Sequence, residues 1–133
     1  MSIDFVSQVP GLATPPGYSY AVSAPAERLI FVAGQVSLDA AGQMVGEGDF
    51  AAQVEQSFAN LGRVLAAVGS SFEHVLKLNY YVVGLAPPRL LVVRAARDRY
   101  FPGPKPASTL VGVAALFMPS ALFEIEAVAV RAG

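Results

Sequence analysis

A strictly alternating run near the C-terminus constrains the fold more than any other feature of this chain. Residues 121–130 read ALFEIEAVAV. Successive side chains of a strand point to opposite faces. Phe123, Ile125, Ala127 and Ala129 therefore share one face, and Glu124, Glu126, Val128 and Val130 share the other. The first set predicts a face against a core. The second carries two carboxylates on an otherwise apolar strand, and burying both without partners is costly. That face must meet water, line a polar site or border another subunit. A second apolar run, Thr109 to Leu116, precedes it, with Met118-Pro119-Ser120 between. The two runs predict strands joined by a short turn.

The rest of the chain supplies the layers around that strand. Ile3 to Val9 predicts a short strand, and Pro10 to Gly17 a loop rich in Pro and Gly. Tyr18 to Ala24 and the strongly apolar Arg28 to Val36 predict two more strands. Ala33-Gly34-Gln35 interrupts the end of the latter, where Gly permits a bulge or a close backbone approach. Phe50, Val54, Phe58, Leu61, Leu65 and Val68 follow a helical spacing, with Asp49 as the cap and Gly69 as the stop. Gln53, Glu55, Gln56, Asn60 and Arg63 form that helix's polar side. His74 to Val83 predicts a strand with Val75, Lys77, Asn79 and Tyr81 on one face. Pro87-Pro88 opens a second helix over about Arg89 to Tyr100, with Arg94 and Arg97 on neighbouring parts of one face. The order β-β-β-α-β-α-β-β predicts an α+β two-layer sandwich, a sheet with both helices on one face.

At 133 residues, a single domain spanning 1–133 is expected. The chain is 54% hydrophobic and only 14% charged, which predicts surface buried in an oligomer; abundant alanine is the plainer explanation. Nine basic and ten acidic residues leave no basic stripe for nucleic acid. With no cysteine and one histidine, neither thiolate chemistry nor a Cys- or His-based metal site is expected. No signal peptide or membrane-length apolar run is read from the sequence, so a cytoplasmic location is the default expectation.

Several motifs, in this order and spacing, resemble the RidA/YjgF family of reactive enamine/imine deaminases along nearly the whole chain. They are Gly17-Tyr18-Ser19, Ile30 to Gln35, Gln53 with Phe58-Ala59-Asn60-Leu61, Leu65 to Gly69, Val75 to Val83, Tyr100-Phe101, Pro106-Ala107 and Phe123 to Ala129. The resemblance implies a chorismate-mutase-like fold with a mixed sheet of about six strands. It also implies a homotrimer with small-molecule pockets between adjacent subunits. In the deaminase branch, an enamine or imine is hydrolysed to a keto acid and ammonia without metal or organic cofactor. An arginine grips the substrate carboxylate, and a glutamate helps to position or activate water.

One departure matters. The family's arginine follows Pro-Ala immediately, and here Pro106-Ala107 is followed by Ser108. A hydroxyl cannot reproduce the bidentate fork of a guanidinium. Ala33 also stands where the family has Ser. The resemblance assigns the catalytic glutamate to Glu124, and substrate contacts to Tyr18, Ala33, Gly34, Arg94 and Ser108. Three readings stay open. The chain hydrolyses a different or uncharged imine, with Glu124 moving the proton. A second cation, Arg94 or Lys105, replaces the lost one. Or the trimer binds a metabolite without turnover. For Glu124 the plainer alternative is an interface charge paired with Lys77 or Arg131, and for Arg94 a solvated helix face.

Overall fold

The computed structural model describes residues 2–131. The strands are β1 (Asp4–Val6), β2 (Ala21–Ser23), β3 (Leu29–Gln35), β4 (Val75–Val83), β5 (Ala107–Val113) and β6 (Phe123–Val130). The helices are α1 (Phe50–Ala67) and α2 (Pro87–Tyr100), and a single 3₁₀ turn, Phe72–His74, leads into β4. The predicted order of elements is present, and the fold is the α+β two-layer arrangement. Its six strands divide into a four-stranded mixed sheet, β3-β6-β4-β5, and a separate antiparallel pair, β1-β2. No helix among the described residues is long and apolar enough to cross a membrane.

The expected turn between the last two strands is corrected. β5 ends at Val113, not Leu116, and does not pair with β6. It runs parallel to β4, while β6 enters between β3 and β4, antiparallel to both. The first two strands are also shorter than predicted, each holding three residues.

Helix α1 begins as its cap residue dictates. Asp49 has an extended backbone, and its carboxylate accepts from the Ala52 amide at 3.0 Å. The helix ends in a Schellman arrangement. Gly69, at φ +77°, donates to the Ala66 carbonyl, and Ser70 donates to that of Leu65. Its apolar stripe packs on one face of the sheet. Phe58 stacks on Phe123 with centroids 6.1 Å apart and on Tyr100 at 5.0 Å. Phe123, Ile125, Ala127 and Ala129 are all buried beneath the helices, as the alternation requires. Full burial of a residue such as Phe123 or Ile125 contributes about 1.5–3 kcal/mol, and it locks the pleat of β6.

Two irregularities reset side-chain direction. A register shift between Val75 and Lys77 puts Val75 in the core, not on the face of Lys77, Asn79 and Tyr81. A second shift, between Val32 and Gln35, falls at the predicted Ala33-Gly34 interruption. The opposite face of the sheet has no helix on it. There Phe31 is 77% exposed and Leu29 51%.

Candidate functional site

The predicted site residues fall into two groups on opposite faces of the sheet. The first lies on the open face. Since Phe123 and Ile125 point into the core, Glu124 and Glu126 must point out of it. Glu124 pairs in register with Tyr81 of β4, and Glu126 with Asn79. On the other side, the bulge in β3 brings the backbone of Gly34 under the Glu124 carboxylate. A Cβ added at Gly34 would lie 2.1 Å from Glu124 Oε2. A larger residue there would push the Glu124 side chain from this position. Ala33, beside it, is exposed.

The electrostatics of this group are asymmetric. Burial lifts the Glu124 carboxyl above the usual carboxylate range, and the negative charge of Glu126 adds to the effect. The Asn79 side-chain amide donates to Glu126 Oε1 at 3.1 Å, and the Tyr81 hydroxyl donates to the same oxygen at 2.5 Å. That hydrogen bond is the main reason the Tyr81 phenol stands above its usual range. The Lys77 ammonium turns away to the Thr109 hydroxyl at 2.8 Å. Among the described residues, neither Lys77 nor Arg131 forms an ion pair with Glu124. The interface-charge alternative therefore lacks its partners within this chain.

The second group lies on the helix side. Ser108 is in register with Leu78 of β4, which is fully buried under the helices, so Ser108 shares that side of the sheet. Tyr18 is held close to it through its neighbour Ser19. The Ser19 amide donates to the Pro106 carbonyl at 3.3 Å, and its hydroxyl to that of Lys105 at 2.6 Å. The Arg97 guanidinium covers the backbone of Gly17, where an added Cβ would come within 2.4 Å of it. Arg97 is also 3.0 Å from Asp98, which Lys105 approaches at 3.7 Å. Arg94 is exposed on α2 and makes no ion pair or side-chain hydrogen bond among the described residues. A cleft of about 480 Å³, between Phe72, His74, Tyr100 and Pro102, holds none of the predicted residues.

The structure thus brings Gly34 to Glu124, and ties Ser19, next to Tyr18, to the Lys105-Pro106 backbone just before Ser108. It keeps the two groups apart within one chain. Sequence reasoning missed two residues that position the first group. Gln53, expected on the polar side of α1, is fully buried. Its amide donates to the carbonyls of Gly46 and Ser120, at 3.1 and 3.0 Å, and its carbonyl accepts from the Leu122 amide at 2.8 Å. It fixes the chain two residues before Glu124. Asn60 donates to the carbonyls of Val36 and Leu38, and so holds the segment leaving β3. A polar residue at a helical position that the apolar period reserves for the core was the signal for Gln53.

Comparison with known proteins gives a consistent picture. A family model described as Endoribonuclease L-PSP matches residues 11–131. Protein DfrA of Myxococcus xanthus is 39% identical over 113 residues, covering 85% of this chain and 84% of that protein. The 2-iminobutanoate/2-iminopropanoate deaminase of Mus musculus is 34% identical over 114 residues, covering 86% and 81%. The crystal structure of YyfB from Yersinia pestis, described as a protein of unknown function of the conserved Rid family, superposes with a TM-score of 0.90. It is 36% identical and covers 98% of this chain and 99% of its own. A family match over most of the chain, with relatives this similar across most of both lengths, makes this chain a member of the RidA/YjgF family.

Proposed function

We propose that this chain forms a homotrimer that hydrolyses an enamine or imine to a carbonyl product and ammonia. The substrate is non-standard, because Ser108 replaces the family arginine. The observation that carries this reading is the Glu124 carboxyl, held over Gly34 and lifted above the usual range, on a sheet face that no helix of the chain's described residues covers.

The separation of the two groups supports the subunit arrangement. Residues on opposite faces of one sheet cannot line one pocket within a chain. A ring of copies packed head to tail sets the open face of one against the opposite side of the next. Each pocket then takes Glu124, Gly34 and Ala33 from one subunit, and Tyr18, Ser108 and Arg94 from its neighbour. In the reaction, the oxygen of water bonds to the C=N carbon, and the nitrogen is protonated and leaves as ammonia. Glu124 carries the proton between water and nitrogen. Ser108 offers a hydrogen bond, Tyr18 shapes the wall, and Arg94 supplies a cation for an acidic substituent. No metal or organic cofactor takes part in this reading. Relatives named as 2-iminobutanoate/2-iminopropanoate deaminases support the reaction class.

The absence of an arginine at Ser108 favours a second reading, a trimer that binds a metabolite without turnover. One assay separates them. Freshly generated 2-iminopropanoate, 2-iminobutanoate and an uncharged imine are presented to the protein, and ammonia and carbonyl product are followed. Turnover that falls by at least about 10²-fold in Glu124→Gln is expected. Turnover of the two acids only after Ser108→Arg would mean that the scaffold serves another ligand. Thermal stabilisation by ligand without any turnover would establish the binding reading.

A further inference from the structure

We infer that Glu126, held by Tyr81 and Asn79, is a positioning residue whose fixed negative charge keeps Glu124 in its protonated form. In the proposed hydrolysis, on which the catalytic meaning of this assignment rests, Glu124 then begins as a neutral acid and not as a base.

The argument starts from a hydrogen bond that goes to the less direct partner. Tyr81 stands directly across from Glu124 in the β4–β6 register, yet its hydroxyl donates to Glu126. Diagonal neighbours across antiparallel strands are within reach of an aromatic side chain. Asn79, directly across from Glu126, donates to the same oxygen. Glu126 therefore receives two donors, while no side-chain hydrogen bond reaches Glu124 among the described residues. An ionised carboxylate only accepts, whereas a protonated one also donates. Two donors aimed at one carboxylate, and none at its neighbour, stabilise negative charge on the first. Glu124 lies two residues along the same strand, about 7 Å away, and faces that charge from a half-buried position.

Within one chain, no cation among the described residues pairs with either carboxylate. β3 (LIFVAGQ) and β5 (ASTLVGV) contain no titratable side chain. From β4 the face receives Tyr81, Asn79 and Lys77, and the Lys77 ammonium is committed to Thr109. Two like groups whose surroundings push them apart divide the roles of acid and anion.

The test is a carboxyl ¹³C NMR titration of the full chain, with Glu124 and Glu126 assigned, in the native protein, Glu126→Gln and Tyr81→Phe. In the native protein the Glu124 midpoint is expected above the ordinary glutamate value. Glu126→Gln keeps the shape of the side chain but removes the charge, so the Glu124 midpoint shifts downward. Tyr81→Phe keeps the ring but removes one of the donors that hold Glu126 in place, so the Glu124 midpoint is expected to shift downward here too. A Glu124 midpoint that stays in place in Glu126→Gln overturns the inference. So do unchanged curves in Tyr81→Phe, which decides the matter if the first variant does not fold. The same variants serve in the hydrolysis assay, where the alkaline limb of the rate profile is expected to follow the Glu124 midpoint. The NMR shifts with no hydrolysis at any pH would remove the hydrolase reading and leave the proton assignment standing. Hydrolysis with a limb that ignores the NMR midpoint would overturn the role of Glu124 as the acid.

Discussion

A carboxyl held above its usual range in the folded state keeps its proton to higher pH than it does in the unfolded chain. For Glu124 the cause is burial first and the charge of Glu126 second. As pH rises through the ordinary glutamate range, the unfolded chain releases this proton before the folded chain does. Within that interval the folded state holds more protons, so stability falls with rising pH. The contribution is fully present below the unfolded value and lost once pH has passed the raised folded value. Urea midpoints measured across this interval are expected to decline in the native protein relative to Glu124→Gln. A difference between the two that stays constant with pH would contradict this. That Glu124 and Glu126 face away from the core was legible in the sequence, because the period of a strand is two and Phe123 and Ile125 are apolar. The diagonal bond from Tyr81 to Glu126 was not, because it depends on register with a strand more than 40 residues earlier. The face occupied by Ser108 was hidden for the same reason, being set by parallel pairing with β4.

Among the elements, α1 does more than cover the sheet. Gln53 sits on its buried stripe and serves three backbone groups of two loops. Gln53→Leu leaves those groups unpaired in the interior, and the expected cost is about 3 kcal/mol, read as a lower urea midpoint. Because Ser120 and Leu122 lead directly into β6, the same change is expected to loosen the start of that strand, seen as faster amide exchange at Phe123 and Glu124. The helix itself was legible from Asp49 to Gly69, since cap, apolar spacing and stop agree. Gln53 was misread because a helical period cannot show which loops pass over a turn. The last two strands were misread as neighbours because Pro119 and Ser120 look like a local turn. The partners of those strands lie far away in the chain.

For the whole molecule, the open face is the deciding feature. Phe31 at 77% exposure and Leu29 at 51% lie on β3, in register with Val128 and Val130, farther along β6 from Glu124. In the proposed trimer, subunit packing on this face would cover them. Phe31→Lys is therefore expected to convert the proposed trimer to monomers at micromolar concentration in sedimentation velocity, with the helical circular-dichroism signal retained. A trimer unchanged by this substitution would place the subunit boundary elsewhere. The position of β6 has another consequence. It occupies the middle of the four-stranded sheet and is also the last of those strands to be synthesised. While the chain is being made, β3 and β4 each wait with an edge that only β6 will fill. Such edges invite pairing with the wrong partner. The sheet cannot close until residues 123–130 have left the ribosome, so the strand that carries Glu124 also completes the fold.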